Sequence, residues 1–144
     1  MSSPSLQRRL VVVAINLCIA LLHLVDLRSH LPEPWRVLHA SYFADLVMPF
    51  GAYFLLCMGQ EGMPLLARWP VRLGLAFGLP ALAETLQFLG VWALGVTFDP
   101  LDYAMYAAGA GSAALVDRQL LRRYAAFWRM PEDGGPDAPA PAPR

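Results

Sequence analysis

A single carboxylate lies inside a hydrophobic stretch that is long enough to cross a membrane. The stretch covers residues 71–90, and Glu84 within it is followed three positions later by Gln87. Such a carboxylate is costly in a membrane-spanning helix, so it usually faces protein or a wet cavity and has a functional role. Residues three apart share a helix face. We therefore expect Glu84 and Gln87 to present a polar surface inside the protein.

Other polar residues are predicted to gather near Glu84. Asp45 lies near the start of another apolar stretch, and Asp99 and Asp102 lie at the start of a third. Arg36 is the expected ion-pair partner of Glu84, with Arg28 as the second choice. The predicted ligand-binding or structural polar cluster is Glu84, Gln87, Asp45, Asp99, Asp102, Arg36 and His39.

Several of these residues also have a simpler interpretation. Asp99 before Pro100 is a favourable start for a helix, and Asp102 in the first turn would stabilise the positive helix end. His39 is typical of a membrane interface, although a metal ligand is the alternative. His23 could ligate a haem or chlorin metal within the membrane, but no second histidine matches its depth.

The sequence predicts no catalytic residue, no metal site and no cofactor. It shows no nucleophile with an adjacent base, no phosphate-binding glycine loop and no metal-ligand cluster. An enzyme that acts on lipid-linked substrates with paired carboxylates is the remaining catalytic alternative. Cys18 and Cys57 match no metal or redox spacing and are interpreted as small hydrophobic residues.

The elements that position these residues are predicted to be membrane-spanning helices. Hydrophobic residues make up 57% of the chain and charged residues only 15%, well below the roughly 25% charged residues of soluble domains. Four segments have the length and apolar character of spans: residues 10–27, 42–58, 71–90 and 101–116. We predict an all-α integral membrane bundle in which residues 1–130 form one domain.

Arginine placement predicts the orientation of this bundle. With four spans, both termini lie on one side, and that side has nine arginines against two on the other. Positive residues favour the cytoplasm, so both termini are predicted to be cytoplasmic. The nine are Arg8, Arg9, Arg68, Arg72, Arg118, Arg122, Arg123, Arg129 and Arg144, and the two are Arg28 and Arg36. The inner half of the bundle is then expected to be nearly all apolar, with a polar cavity open to the outside.

The sequence ends support the same picture. Arg8 and Arg9 precede the first apolar run as in a signal peptide, but no small-residue cleavage site follows, so an uncleaved helix is expected. Residues 118–130 mix basic and aromatic side chains and are predicted to lie in the cytoplasmic interface. Residues 131–144 are rich in Pro and Ala and are predicted to be disordered. A zero net charge argues against a nucleic-acid partner.

Small residues are predicted to mediate helix packing, because lipid does not drive helices together as water does. Gly74 and Gly78 form a small-residue pair on the third span, and Gly109 and Gly111 lie on a fourth span that is rich in Ala and Gly. The fourth helix is therefore predicted to be central. These faces could instead bind another membrane protein.

The order of these motifs resembles the VanZ-like family of small bacterial membrane proteins. The likeness rests on the stretch from Asp45 to Leu56, on the step from Glu84 to Gln87, and on Asp99-Pro100-Leu101-Asp102 followed by a glycine. The family's arginine before the last-helix aspartate is absent from Gly95-Val96-Thr97, and its asparagine is Tyr106 here. The absence of lysine alongside eleven arginines, with abundant Ala, Pro and Gly, is typical of a GC-rich genome and so hints at a bacterium.

The resemblance implies a non-enzymatic protein of the bacterial inner membrane. It would hold an amphiphilic ligand in its outer polar cavity, with membrane lipids as its surroundings, although the departures weaken any link to antibiotic resistance. A structural or accessory subunit of a larger membrane complex, such as a respiratory or photosynthetic one, is the alternative. A partner would then dock on the small-residue faces.

Overall fold

A computed structural model of the protein describes residues 3–25, 30–91 and 98–129. Within these ranges the chain is helical and has no β-strand, which confirms the predicted all-α class. Four long helices form the fold: α1 Pro4–Leu24, α2 Trp35–Met58, α3 Trp69–Phe88 and α4 Pro100–Leu115. The predicted tail over residues 131–144 lies outside the described residues.

The helix boundaries follow local capping rather than the apolar runs alone. α1 begins at Pro4, six positions before the predicted span, because the Ser3 hydroxyl accepts a hydrogen bond from the backbone of Leu6. Ser at the cap with Pro at the first position is a strong start signal. α4 begins at Pro100, and the Asp99 side chain caps it by accepting from the backbone of Leu101 at 2.9 Å.

The chain after α4 does not continue as one straight helix. A π-helical turn over Val116–Leu121 is followed by a helical turn over Arg122–Tyr124 and a 3-10 turn over Ala126–Trp128. Trp128 is only 3% exposed and packs edge-on against Phe54. Trp128, at the end of the segment 118–130 that was predicted to be interfacial, therefore belongs to the core.

α2 lies at the centre of the bundle, since it packs against α1, α3 and α4, whereas α4 packs mainly against α2 and α3. Sequence analysis placed α4 at the centre. The large side chains that fill the core explain the difference, because Tyr53 and Phe54 on α2 are fully buried. The buried apolar cluster consists of Val12, Tyr53, Phe54, Cys57, Ala76, Ala110, Ala113, Ala114 and Trp128.

One of the four predicted packing glycines lies at a tight helix contact. A Cβ atom on Gly109 would lie 2.0 Å from the carbonyl oxygen of Leu46, so α2 and α4 approach each other there without a side chain between them. A Cβ atom on Gly74, Gly78 or Gly111 would meet no atom within 4 Å. These three glycines therefore do not mediate packing among the described residues.

Two of the helices are long and apolar enough to cross a membrane. They are α1 and the stretch Trp35–Glu61, and only 11% and 28% of their most apolar windows are buried inside the protein. A core helix of a soluble protein would be mostly buried, whereas a signal sequence near the N-terminus also has these properties. The other two long helices do not meet this description. α4 is short, with 16 residues, and Arg72, Glu84 and Gln87 make α3 less apolar.

Candidate functional site

Glu84 connects α3 to the start of α4. Its side chain is 3% exposed, and Oε1 accepts a hydrogen bond from the backbone N–H of Asp99 at 2.8 Å. Asp99 is in turn the capping residue of α4. Glu84 therefore has a structural task, because it fixes the residue that begins the next helix.

Three further carboxylates lie around Glu84. Asp45 on α2 is close enough to interact electrostatically with Glu84 and Asp99. Asp102 on α4 interacts with all three of the others. We call Asp45, Glu84, Asp99 and Asp102 the acidic cluster. It draws on α2, α3 and α4 together with the residue that caps α4, as sequence analysis predicted for these four residues.

Two tyrosines that sequence analysis did not select complete this cluster. The hydroxyl of Tyr42 donates to Oδ2 of Asp99 at 3.2 Å, and the hydroxyl of Tyr106 interacts with Asp45. Tyr42 lies three residues before Asp45, and Tyr106 lies four residues after Asp102. Helical spacing from the aspartates could have identified both.

The polar surface of α3 extends one turn beyond Glu84. The hydroxyls of Thr85 and Tyr103 lie 2.8 Å apart and connect α3 to α4 a second time. Gln87 is half-buried at the next turn of α3. Glu84 and Gln87 are therefore both on α3, one turn apart.

Arg36 is not the partner of Glu84. Its guanidinium is exposed and pairs with Glu33, with Nε donating to Oε1 at 2.8 Å. Arg28, the second predicted partner, lies outside the described residues. Across the described ranges, the arginine ion pairs involve Glu33, Glu61 and Asp117 and not the acidic cluster.

His39 faces α1 and not the acidic cluster. Its ring stacks on Phe43 with centroids 4.4 Å apart, and His23 of α1 lies 5.2 Å from the same Phe43 ring. A cavity of about 340 Å³ opens here, which we call the histidine groove. It is lined by Leu22, His23, Leu24, Val25, His39, Ala40, Phe43 and Ala44.

The other end of α3 carries a fully buried ion pair. Arg72 donates to Oδ2 of Asp117 at 2.8 Å, and both side chains are at most 1% exposed. The Tyr53 hydroxyl also donates to Oδ2, at 2.7 Å, and Nε1 of Trp128 donates to Oδ1 at 2.6 Å. We call these four residues the buried network. The end of the bundle that was expected to be nearly all apolar therefore contains buried polar side chains.

Backbone carbonyls bind the other terminal nitrogen of the Arg72 guanidinium, whereas its Nε is buried without a hydrogen-bond partner among the described residues. The terminal nitrogen donates to Leu66 at 2.5 Å and to Ala67 at 3.0 Å. These carbonyls belong to the 3-10 turn before α3. The buried network therefore joins α2, the turn that precedes α3, α3 itself and the segment after α4.

A second set of contacts holds the segment after α4 against α1. Arg8 donates to the carbonyl of Phe127 at 3.2 Å and to Glu61 at 3.3 Å, and Arg9 also pairs with Glu61. Arg8 is 4% exposed. Arg8 therefore connects α1 to the turn after α2 and to the aromatic end of the described chain, and Arg9 adds a second contact from α1 to that turn.

The acidic cluster can accept hydrogen bonds and attract positive charge. In the three described ranges, no group of three or more His, Cys, Asp or Glu side chains is arranged to hold a metal ion. Comparison of the chain with family models, with curated proteins and with solved structures finds no match. The resemblance to the VanZ-like family therefore stays a prediction from sequence.

Proposed function

We propose that the protein is a four-span protein of the bacterial inner membrane with both termini in the cytoplasm. Two helices with the length and composition of spans support the membrane location. The distribution of arginine supports the orientation, since eight of the described arginines lie at the end of the bundle that has the buried network. The acidic cluster then faces outward.

The function that fits this arrangement is a VanZ-like, non-enzymatic envelope protein that binds an amphiphilic ligand through the acidic cluster. One observation carries the proposal: four carboxylates from neighbouring elements converge, and none forms an ion pair with a described arginine. Carboxylates held this close repel one another. A ligand head group with an ammonium or several N–H donors would relieve that repulsion.

The test compares acidic residues inside and outside the cluster. A strain that lacks the protein is complemented with the wild type, Asp102→Asn, Glu84→Gln or the control Glu33→Gln, and its sensitivity to envelope-acting compounds is measured. Glu33 is exposed and, among the described residues, forms an ion pair with Arg36. We expect the wild type and Glu33→Gln to restore the normal sensitivity of the strain. Asp102→Asn and Glu84→Gln should fail to restore it.

Asp102→Asn separates binding from folding. Glu84→Gln also weakens the contact to the backbone of Asp99, so its effect could come from a displaced α4. Asp102 is half-buried, and its side chain makes no such contact to the backbone of any described residue. Full complementation by Asp102→Asn and Glu84→Gln, with normal amounts of protein in the membrane, would contradict the proposal.

An accessory subunit of a larger membrane complex is the second candidate. The open face of Gly74 and Gly78 on α3 favours it, because the small residues typical of helix association have no partner among the described residues. Gly78→Leu should then release the protein from a fixed partner during purification in mild detergent. Glu84→Gln would leave that partner bound, which separates the two candidates.

A further inference from the structure

Two exposed arginines are next to Trp69, at the end of the bundle that has the buried network. Arg68 directly precedes Trp69, which is the first residue of α3. The guanidinium carbon of Arg118 lies 4.5 Å from the centre of the Trp69 ring. Both arginines are exposed, so an anion outside the bundle can reach them. We call Arg68, Trp69 and Arg118 the arginine–tryptophan surface.

The positive charge of this surface is not neutralised by a described acid. Neither Arg68 nor Arg118 takes part in the ion pairs of the described residues. Asp117 directly precedes Arg118, but it is only 1% exposed and already accepts hydrogen bonds from three other side chains. Two positive charges without a counter-charge attract anions.

The chemistry of the two arginines fits a phosphate at a membrane interface. A guanidinium next to an indole ring is held there by a favourable cation–π contact. Its N–H groups match the oxygens of a phosphate, and the hydrogen bonds between them are charge-assisted. Tryptophan is enriched at the level of the lipid head groups. Trp69 therefore places Arg68 and Arg118 at the depth of the lipid phosphates.

Apolar side chains beside the surface suit a lipid better than a soluble anion. Leu115 lies three positions before Arg118 and is 62% exposed, and Leu65 lies three positions before Arg68 and is 61% exposed. In a membrane such side chains contact acyl chains, while the arginine head groups stay at the polar boundary. A soluble phosphate gains nothing from these leucines.

The acids of residues 130–144 are the competing occupant. This stretch lies outside the described residues and contains Glu132, Asp133 and Asp137. The last described turn, Ala126–Trp128, packs against α1, whereas the arginine–tryptophan surface is at the start of α3. The chain's own acids would have to extend from α1 to α3, but membrane lipids are next to the surface already. This difference favours a lipid.

We propose that the arginine–tryptophan surface binds the head group of an anionic glycerophospholipid. The phosphate oxygens accept hydrogen bonds from Arg68 and Arg118, and an acyl chain lies against Leu115. A head group with a net negative charge complements the two arginines, whereas the ammonium of a choline head group opposes them. The site rests on the membrane location proposed above and is independent of the acidic cluster.

Native mass spectrometry of the purified full chain in neutral detergent measures the affinity for dioleoyl phosphatidylglycerol and dioleoyl phosphatidylcholine. These lipids share acyl chains and a phosphate but differ in net charge. We expect phosphatidylglycerol to bind at least tenfold more tightly. Arg68→Gln and Arg118→Gln should each weaken its binding about fivefold. Arg36→Gln removes an exposed arginine at the other end of the bundle and is the matched control, which should bind as the wild type does.

The double variant Arg68→Gln with Arg118→Gln should bind the two lipids equally. Both side chains are exposed, so their replacement leaves the core intact. Equal affinity of the wild type for the two lipids, or wild-type selectivity in the double variant, would overturn the proposal. Binding of neither lipid would overturn it together with the proposed membrane location, which distinguishes the two failures.

Two further measurements separate a lipid from the other occupants. Glycerol 3-phosphate has the phosphate without acyl chains and should not displace phosphatidylglycerol even in large excess. The combined variant Glu132→Gln, Asp133→Asn and Asp137→Asn should bind phosphatidylglycerol as the wild type does. Displacement by glycerol 3-phosphate at equal concentration, or at least tenfold tighter lipid binding by the combined variant, would overturn the proposal. The first result would indicate a site for soluble phosphate, and the second would indicate that the chain's own acids occupy the surface.

Discussion

The ion pair of Arg72 and Asp117 is fully buried. Removing two charges from water is costly, so such a pair adds stability only if the remaining donors and acceptors are satisfied. Asp117 meets that condition, because it accepts from Arg72, Tyr53 and Trp128. The main effect of the ion pair is therefore to fix the packing arrangement of the helices. Its net contribution to the free energy of unfolding is small.

Loss of one partner of this pair should be strongly destabilising. Arg72→Met leaves the Asp117 carboxylate buried with only the longer 3.7 Å contact to Arg122. Asp117→Asn leaves the Arg72 guanidinium buried without a negative partner. Each should lower the free energy of unfolding by about 3–5 kcal/mol. Titration of the detergent-solubilised protein with dodecyl sulfate measures this change.

The exposed Arg68→Met is the matched control and should change the free energy of unfolding by less than about 0.5 kcal/mol. The double variant Arg72→Met with Asp117→Leu should recover part of the loss, since it removes both charges together. If Arg72→Met and Asp117→Asn each lower the free energy of unfolding by as little as Arg68→Met does, the ion pair is not buried in the membrane-embedded protein.

Sequence analysis identified the acidic cluster but not the buried network, and the reason is physical. Glu84 lies inside the predicted span 71–90, where a charge has no inexpensive explanation. Arg72 and Asp117 each lie beside a predicted helix end, where exposure to solvent is the default for a charged residue. They are 45 positions apart, and no periodicity within one helix relates positions so far apart in sequence.

At the scale of the helices, small residues indicate that two helices can approach closely. They do not indicate at which residue the approach occurs. Four glycines were predicted to pack, and Gly109 alone among them has another helix within contact distance. The composition of α4 alone did not show that the large buried side chains lie on α2. Because of these side chains, α2 is at the centre and one face of α4 packs against it. The number and order of the helices, by contrast, followed directly from the apolar runs.

Gly109→Ala should disrupt the contact of α2 with α4. The new Cβ atom would lie 2.0 Å from the Leu46 carbonyl oxygen, so the two helices must separate. Overpacking of this kind costs about 1–3 kcal/mol of unfolding free energy. The same dodecyl sulfate titration measures it.

Gly111→Ala and Gly74→Ala are the matched controls on α4 and α3. Open space surrounds both positions, and alanine favours a helix over glycine by up to about 1 kcal/mol. Both variants should therefore be at least as stable as the wild type. If Gly109→Ala is as stable as these two controls, the tight contact between α2 and α4 is contradicted.

At the scale of the whole molecule, the two ends of the bundle differ in charge. The acidic cluster occupies one end, and the end with the buried network has the arginines of α1, of the turn before α3 and of the segment after α4. Arg118 there stacks over Trp69 with its guanidinium carbon 4.5 Å from the ring. Arginine and tryptophan together are typical of the cytoplasmic membrane interface.

This asymmetry predicts the topology, which two introduced cysteines can test. In a background of Cys18→Ala with Cys57→Ala, Pro32→Cys places a thiol in the loop before α2, and Gly62→Cys places one in the loop after it. Both positions are exposed, so accessibility depends only on the side of the membrane. A membrane-impermeant maleimide should label Pro32→Cys in intact cells and Gly62→Cys only after permeabilisation. The reverse pattern would invert the orientation and turn the acidic cluster toward the cytoplasm, and labelling of both positions in intact cells would mean that α2 does not cross the membrane.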